Sequence, residues 1–384
     1  MCFHKKIVTF LFLFGVLVFK HAVYAQNKAL IDSLRQEANV LAYSNPELAV
    51  ERGLELFSLS KNKPSQQVSA LLTVANAYAV LKDHDKVLKY ALKADSIADK
   101  NRNYTDQVRA LGFIGGQYQR LKLSNRALEY LDRAYTISVK HPLPDSIQYL
   151  QGNILFVKGL IQRDNLGCEY ALPYFTEAAQ VFRENLDKKL MNSSMAIALN
   201  NIGDCNFQLE KYDVAKKNYN EAIIFASKIN ALKNSAYSKL GLAKILSEEE
   251  KNQLAIQTLQ EALLSVENIN DAGLKTALYK ALSDNYAAIG NNEKYNAYTK
   301  LYFEEEEKLL NEEKNSINQV ANNLAAENLD KRENQKNTYT YIFIICGILL
   351  LVVLEYILRK ILQKRKKIAQ QKQEIENTSK NNHN

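Results

Sequence analysis

The apolar positions of this chain recur in a fixed order. A small residue is followed three later by an aromatic or large apolar one. Nine further on stands Ala, then a bulky residue four later, then Ala three later. The order reads Gly115, Tyr118, Ala127, Leu131, Ala134, and again Gly203, Asn206 (beside Phe207), Ala215, Tyr219, Ala222. Gly159, Ala171, Phe175 and Ala178 form a third copy, and Ala243, Leu246, Ala255, Leu259 and Ala262 a fourth. Ala75, Tyr78, Val87, Ala91 and Ala94 make a fifth; Ala49, Gly53, Leu56 and Ser283, Tyr286, Tyr295 keep parts of an earlier and a last unit. The Ala–bulky–Ala triplet shares one face at helical period. Small residues let two helices cross closely, and the bulky residue fills the gap beside them. One helical pair cannot bury such a face alone, so the pattern predicts an all-α stack of helical hairpins over 26–302.

Two uniformly apolar stretches flank that body. Within 1–25, Lys5 and Lys6 precede a 13-residue apolar run, and Val23 and Ala25 stand at the −3 and −1 places of a cleavage site. This reads as a secretory signal peptide. The alternative is an uncleaved anchor, for which the run is short against a hydrocarbon core of ~30 Å. Residues 339–358 carry a single charge, Glu355, with Arg359 one turn on, and predict a transmembrane helix. Tyr339, Tyr341 and Tyr356 sit where interfacial aromatics belong. Arg359, Lys360, Lys364, Arg365, Lys366 and Lys367 follow, expected on the cytoplasmic side against anionic lipid. The expectation is a single-pass type I inner-membrane protein with its repeats in the periplasm and a short basic tail, 359–384, inside.

The small–aromatic–Ala–bulky–Ala order resembles that of tetratricopeptide repeat (TPR) proteins over about 29–302. The first small residue of each second helix falls at Ala127, Ala171, Ala215 and Ala255, with Val87 before and Tyr295 after. The periods are therefore 40, 44, 44, 40 and 40 residues, longer than the ~34 of the family. Extra residues, lengthening helices or turns, are expected at 141–145 and 164–167. A HEAT-type array also fits the longer period and stays open as an alternative. The TPR resemblance implies a right-handed solenoid of six or seven helical pairs whose first helices line a groove that takes peptides. Carried onto this sequence, the groove places are Asn76, Arg109, Asn153, Phe156, Arg163, Asn200, Asp204, Tyr237, Lys244, Lys280 and Asp284. That mix suits a polar peptide with one or two apolar anchors. The Lys/Asn pattern that clamps a terminal carboxylate in chaperone-binding relatives is not reproduced.

Composition agrees with long helices: 13 Gly and 5 Pro in 384 residues leave few turn-makers. The net charge of +8 divides into +3 in residues 1–25 and +5 in 355–384, around a neutral body. The body thus lacks the electrostatic footprint of a nucleic-acid binder. No His-Glu-x-x-His, Cys-x-x-Cys or Walker loop occurs, so no enzymatic, metal or cofactor site is expected. Gly112, Gly115 and Gly116 form no dinucleotide fingerprint, and Gly115 and Gly116 read as helix-packing residues. Cys168 and Cys205 fall in neighbouring repeats and read as two buried small residues, with a disulfide as the alternative.

Residues 303–338 hold Leu310, Ile317 and Leu324 at sevenfold spacing, with Val320 between but Glu313 and Glu327 on the seam. They predict either a dimer stalk, hence a homodimer, or a single capping helix. The whole layout resembles the sensor half of Bacteroidota-type TPR histidine kinases and helix-turn-helix regulators, without the output domain. Two functions follow as expectations: a membrane-anchored module that binds a protein or peptide outside, or a split sensor that signals through its helix to a separate partner.

Overall fold

The computed structural model describes residues 31–381 apart from 32, 43 and 270, with side chains through 311, at 314 and 332, and over 335–372. The expected signal segment and cleavage site lie outside the described residues. Among those described there is no strand. Helix α1 covers 33–42. It is followed by α2 (Pro46–Leu59), α3 (Pro64–Val80), α4 (His84–Lys100), α5 (Tyr104–Arg120), α6 (Ser124–Lys140) and α7 (Tyr149–Leu166). Then come α8 (Cys168–Glu184), α9 (Met191–Gln208), α10 (Tyr212–Ser227), α11 (Leu232–Glu248), α12 (Asn252–Ser265), α13 (Ala272–Ala288) and α14 (Asn292–Asn381).

Successive helices pack as antiparallel hairpins, and each pair packs on the next. Odd-numbered helices also touch the next odd one (α3–α5, α5–α7, α9–α11, α11–α13), while even-numbered helices do not approach one another in that way. The odd row is therefore the inner side of a TPR-like solenoid. The long period is explained by length: α3, α4, α5 and α6 are each 17 residues, joined by three-residue turns. The two 44-residue steps come from the connectors 141–148, which contains a 3-10 turn at Asp145–Ile147, and 185–190. The expectation at 141–145 is met. At 164–167 the residues go into the helix: Asp164, Asn165 and Leu166 finish the 18-residue α7, and Gly167, at φ 97°, ends it.

The three-residue turns and the four-residue turn at 228–231 share one geometry. Lys82, Arg102, Lys122, Glu210, Asn230, Glu250 and Gly290 all adopt positive φ. The next residue's N–H then reaches back to the last turn, as in Asp83 N to Tyr78 O (3.0 Å), Leu123 N to Tyr118 O (2.9 Å) and Lys251 N to Leu246 O (2.8 Å). This satisfies carbonyls that a helix end leaves open. Asn45, Asp83, Asn103 and Asp271 cap the helices that follow them.

The repeat signature forms the core. Ala127, Leu131, Ala134, Ala171, Phe175, Ala178, Ala215, Tyr219 and Ala222 are fully buried. A Cβ on Gly115 would meet Leu131 at 2.6 Å, and one on Gly159 would meet the Phe175 ring at 2.7 Å. Those glycines are the close crossings the pattern predicts. Gly116 is different: nothing lies within 4 Å of where its Cβ would be, so it is not a packing residue.

The chain divides into two compact units, 1–320 and 321–384. In the second, Gln335–Lys372 is the one stretch among the described residues long and apolar enough to cross a membrane, and none of it is buried. Glu355 and Arg359 pair there, and Lys360 lies over the Tyr356 ring at 5.6 Å.

Candidate functional site

The expected groove residues all fall on the inner odd helices, yet they are not equivalent. On α9, Asn200 is buried and committed to the next pair: its amide donates to Asn234 O (3.0 Å) and its oxygen accepts from Ser238 Oγ (2.6 Å). It ties α9 to α11 rather than presenting a free amide. Phe156 packs into the core, with its ring 5.4 Å from that of Phe175.

The charged places are largely neutralised within the protein. Arg109 pairs with the buried Asp106 at 3.2 Å. Arg163 donates to Asn201 Oδ1 at 2.6 Å and lies 3.6 Å from Asp164. Lys280 pairs with Asp284 at 2.9 Å on an exposed face, a contact of small energetic weight. Asp204 accepts from the Tyr219 hydroxyl at 2.7 Å. Burial pushes its carboxyl above the ordinary carboxylate range, against the pull of Tyr219, Lys244 and Arg163. Tyr219 is raised too, by burial and by Asp204. Burial and Asp271 push the Tyr237 phenol up to about 12. Lys244 is exposed, and Asn76 is half-buried on α3.

Around Arg109 and Asn153 the inner face opens into a cavity of about 300 Å³. Leu72 of α3, Val108, Gly112 and Phe113 of α5, and Tyr149, Leu150, Ile154 and Val157 of α7 complete its lining. Gly112 leaves its wall bare: a Cβ there would rest in ordinary contact with Ile154, at 3.5 Å. Gly116, one turn on, continues the bare strip on the same face of α5. Glycine inside a helix costs about 1 kcal/mol relative to alanine, and neither of these two is compensated by a close crossing. Sequence reasoning found Arg109 and Asn153 but missed the apolar lining. The available signal was the run of apolar residues at i and i+3 or i+4 beside them, together with two glycines that fit no repeat position.

The size and the mix of apolar walls with a few polar groups are those of a binding site for a side chain. Among the described residues no group of three His, Cys, Asp or Glu is placed to hold a metal ion.

A second cavity of about 360 Å³ lies between α12, α13 and α14, lined by Gln260, Leu263, Leu264, Glu267, Lys275, Tyr279 and Tyr298. It is off the inner face.

Cys168 and Cys205 form a disulfide, with Cα atoms 5.0 Å apart. The reading of two separate small residues is thus corrected: both are buried, but the start of α8 lies against α9 closely enough to be bridged.

No family model matches the chain, and no curated protein matches it significantly. Solved structures do. The apo form of RapI aligns with a TM-score of 0.55 at 16% identity, over 73% of this chain and 99% of that one. The Rap conjugation gene regulator of plasmid pLS20, solved with the Phr* peptide, aligns at 0.54 and 17% identity, over 70% of this chain and 71% of that one. A signal transduction ATPase with a tetratricopeptide repeat sensor from Pyrococcus horikoshii aligns at 0.54 and 16%, over 76% of this chain and 46% of that one. Likeness at this identity establishes the TPR-like fold and selects it over a HEAT-type array.

Proposed function

We propose that this protein is a membrane-anchored, non-enzymatic TPR-like module that binds an extended peptide or protein segment along its inner face. The observation that carries this is the open apolar cavity between α3, α5 and α7. Because Arg109, Arg163 and Lys280 already have acidic partners, recognition rests on an apolar anchor in the cavity and amide contacts at its rim, where Asn153 stands. The peptide bound to the pLS20 regulator makes a peptide the first ligand class to test. The apolar helix within Gln335–Lys372 supplies the anchor. Arg359, Lys360, Lys364, Arg365, Lys366 and Lys367 supply the contact with anionic headgroups on the cytoplasmic side, and 1–25 the export signal.

A photo-crosslinking residue placed at Phe113 in the full-length chain tests this in cells. Capture of a defined partner is expected, and Val157→Arg, which puts a charge into the cavity, is expected to abolish it. Capture that survives Val157→Arg removes the cavity from the function.

The split-sensor reading has one observation of its own: a basic helical tail continues past the apolar stretch as part of α14. Phe303 and Leu310, seven apart and both exposed, give the stalk of a homodimer through 303–338 its first apolar seam positions. Pull-downs from the full chain and from a version cut after Lys367 separate the two. A cytoplasmic regulator held only by the full chain makes the protein a signalling half; identical captures make the tail an anchor.

A further inference from the structure

We infer that the Cys168–Cys205 disulfide is formed in the cell, that the repeat unit therefore works in an oxidising compartment, and that the bond locks the fourth helical pair to the fifth. The orientation part rests on the membrane-anchored reading above, but its evidence is separate from the charge bias that suggested it. Of the four cysteines in the chain, Cys2 lies in the leading segment and Cys346 in the apolar helix. The two that remain, 37 residues apart in sequence, are the two that meet. Both are buried, so neither stands as a reactive surface thiol. Buried disulfides of this kind persist outside the cytoplasm and are rare within it.

The place of the bond gives it a mechanical role. The inner row of odd helices packs step by step, and the step between α7 and α9 is its loosest. At that step the direct contact on the inner face is Arg163 to Asn201. The disulfide joins the start of α8 to α9, so the step at which the inner helices make least direct contact carries a covalent link between its two helical pairs. Its formation balances simply. The two thiols give up two protons and two electrons to a disulfide of the compartment, R–S–S–R, which leaves as two R–SH.

The test uses the full-length chain carrying C2A and C346A, so that only these two thiols remain. Cells are quenched in acid, and the denatured protein is treated with a polyethylene-glycol maleimide before and after reduction. No added mass before reduction and two adducts after it are expected; C168S, giving one adduct under both conditions, shows that labelling works. Protease digestion of intact spheroplasts reports independently on which side the repeats lie. Paired thiols on an outward-facing array support the inference. Free thiols on an outward-facing array overturn it and leave the anchor reading standing. Paired thiols on an inward-facing array overturn the compartment assignment, and free thiols there overturn both. For the lock, hydrogen exchange of 191–208 is expected to rise at least tenfold on reduction of the otherwise unaltered protein, while 64–120 stays the same. Equal exchange in both redox states overturns the mechanical part.

Discussion

The inner face has an open half and a closed half, although both are made from one repeat pattern. In the α5–α6 pair the bulky residue of the pattern is Leu131, which fills the space over Gly115 within its own pair. Between α9 and α11 it is Tyr219, whose ring lies against both Gly203 and Gly241 and so spans two pairs. Its hydroxyl continues to Asp204 at the inner surface. The leucine half leaves an apolar cavity; the tyrosine half has a polar floor stitched by Asn200, Asn234 and Ser238. The two halves thus differ both in the bulky residue of the pattern and in whether the inner face holds an apolar cavity.

If Tyr219 seals its half, removing it should have the largest effect. Tyr219→Ala opens a cavity between two pairs and strips Asp204 of its donor, and is expected to cost about 4 kcal/mol. Leu131→Ala should cost about 3 kcal/mol. Denaturant unfolding checks the order, and a smaller loss for Tyr219→Ala contradicts the comparison. Loss of the disulfide, which closes a loop of 37 residues, should cost about 3–4 kcal/mol in the same assay.

Smaller changes separate the ring from its hydroxyl. Tyr219→Phe keeps the packing but leaves Asp204 unpaired, for a loss of about 2 kcal/mol. Asp204→Asn keeps an acceptor and removes a buried charge, so it should be neutral or stabilising at pH 7. The sign of its pH dependence follows from the raised folded pKa. Between the ordinary carboxylate range and that raised value, the folded chain holds a proton the unfolded chain has lost. Asp204 is therefore least unfavourable in acid, where its contribution is fully present below the unfolded pKa. That contribution is lost as pH rises through the folded pKa. The advantage of Asp204→Asn should shrink as pH falls through this window, and an advantage that grows in acid contradicts the assignment.

Adjacent glycines sharpen the picture of the open half. Gly115→Ala drives a methyl into Leu131 and should cost about 1–3 kcal/mol. Gly116→Ala meets open space and should gain up to about 1 kcal/mol through helix propensity. It should also weaken capture at Phe113, if a ligand lies directly on the α5 backbone.

Much of the fold was legible before the structure, because Ala, bulky and small residues at helical spacing describe a crossing whose chemistry is local to two helices. The site was less legible. Asn200 and Asn153 are the same residue type at comparable inner positions, yet one is spent on Asn234 and Ser238 while the other borders the cavity. That difference depends on how neighbouring pairs sit together, which no single repeat encodes. The pairing of Cys168 with Cys205 was hidden for the same reason.

Turns were the other blind spot. Glycine and proline are scarce, and the chain makes most of its tight turns with Lys, Arg, Glu and Asn in the left-handed region, with glycine at positive φ at Gly167 and Gly290. A side chain held there costs about 1–2 kcal/mol, and glycine avoids that at the expense of unfolded-state entropy. Glu250, at φ 60° between α11 and α12, is an exposed test of this cost. Glu250→Gly should stabilise the protein by about 0.5–1 kcal/mol, the smallest effect in the series. The closed half is where the gain should be visible, because there the turn follows a helix, α11, already packed against Tyr219. A loss of stability instead means that Glu250 makes a contact worth more than its strained backbone costs.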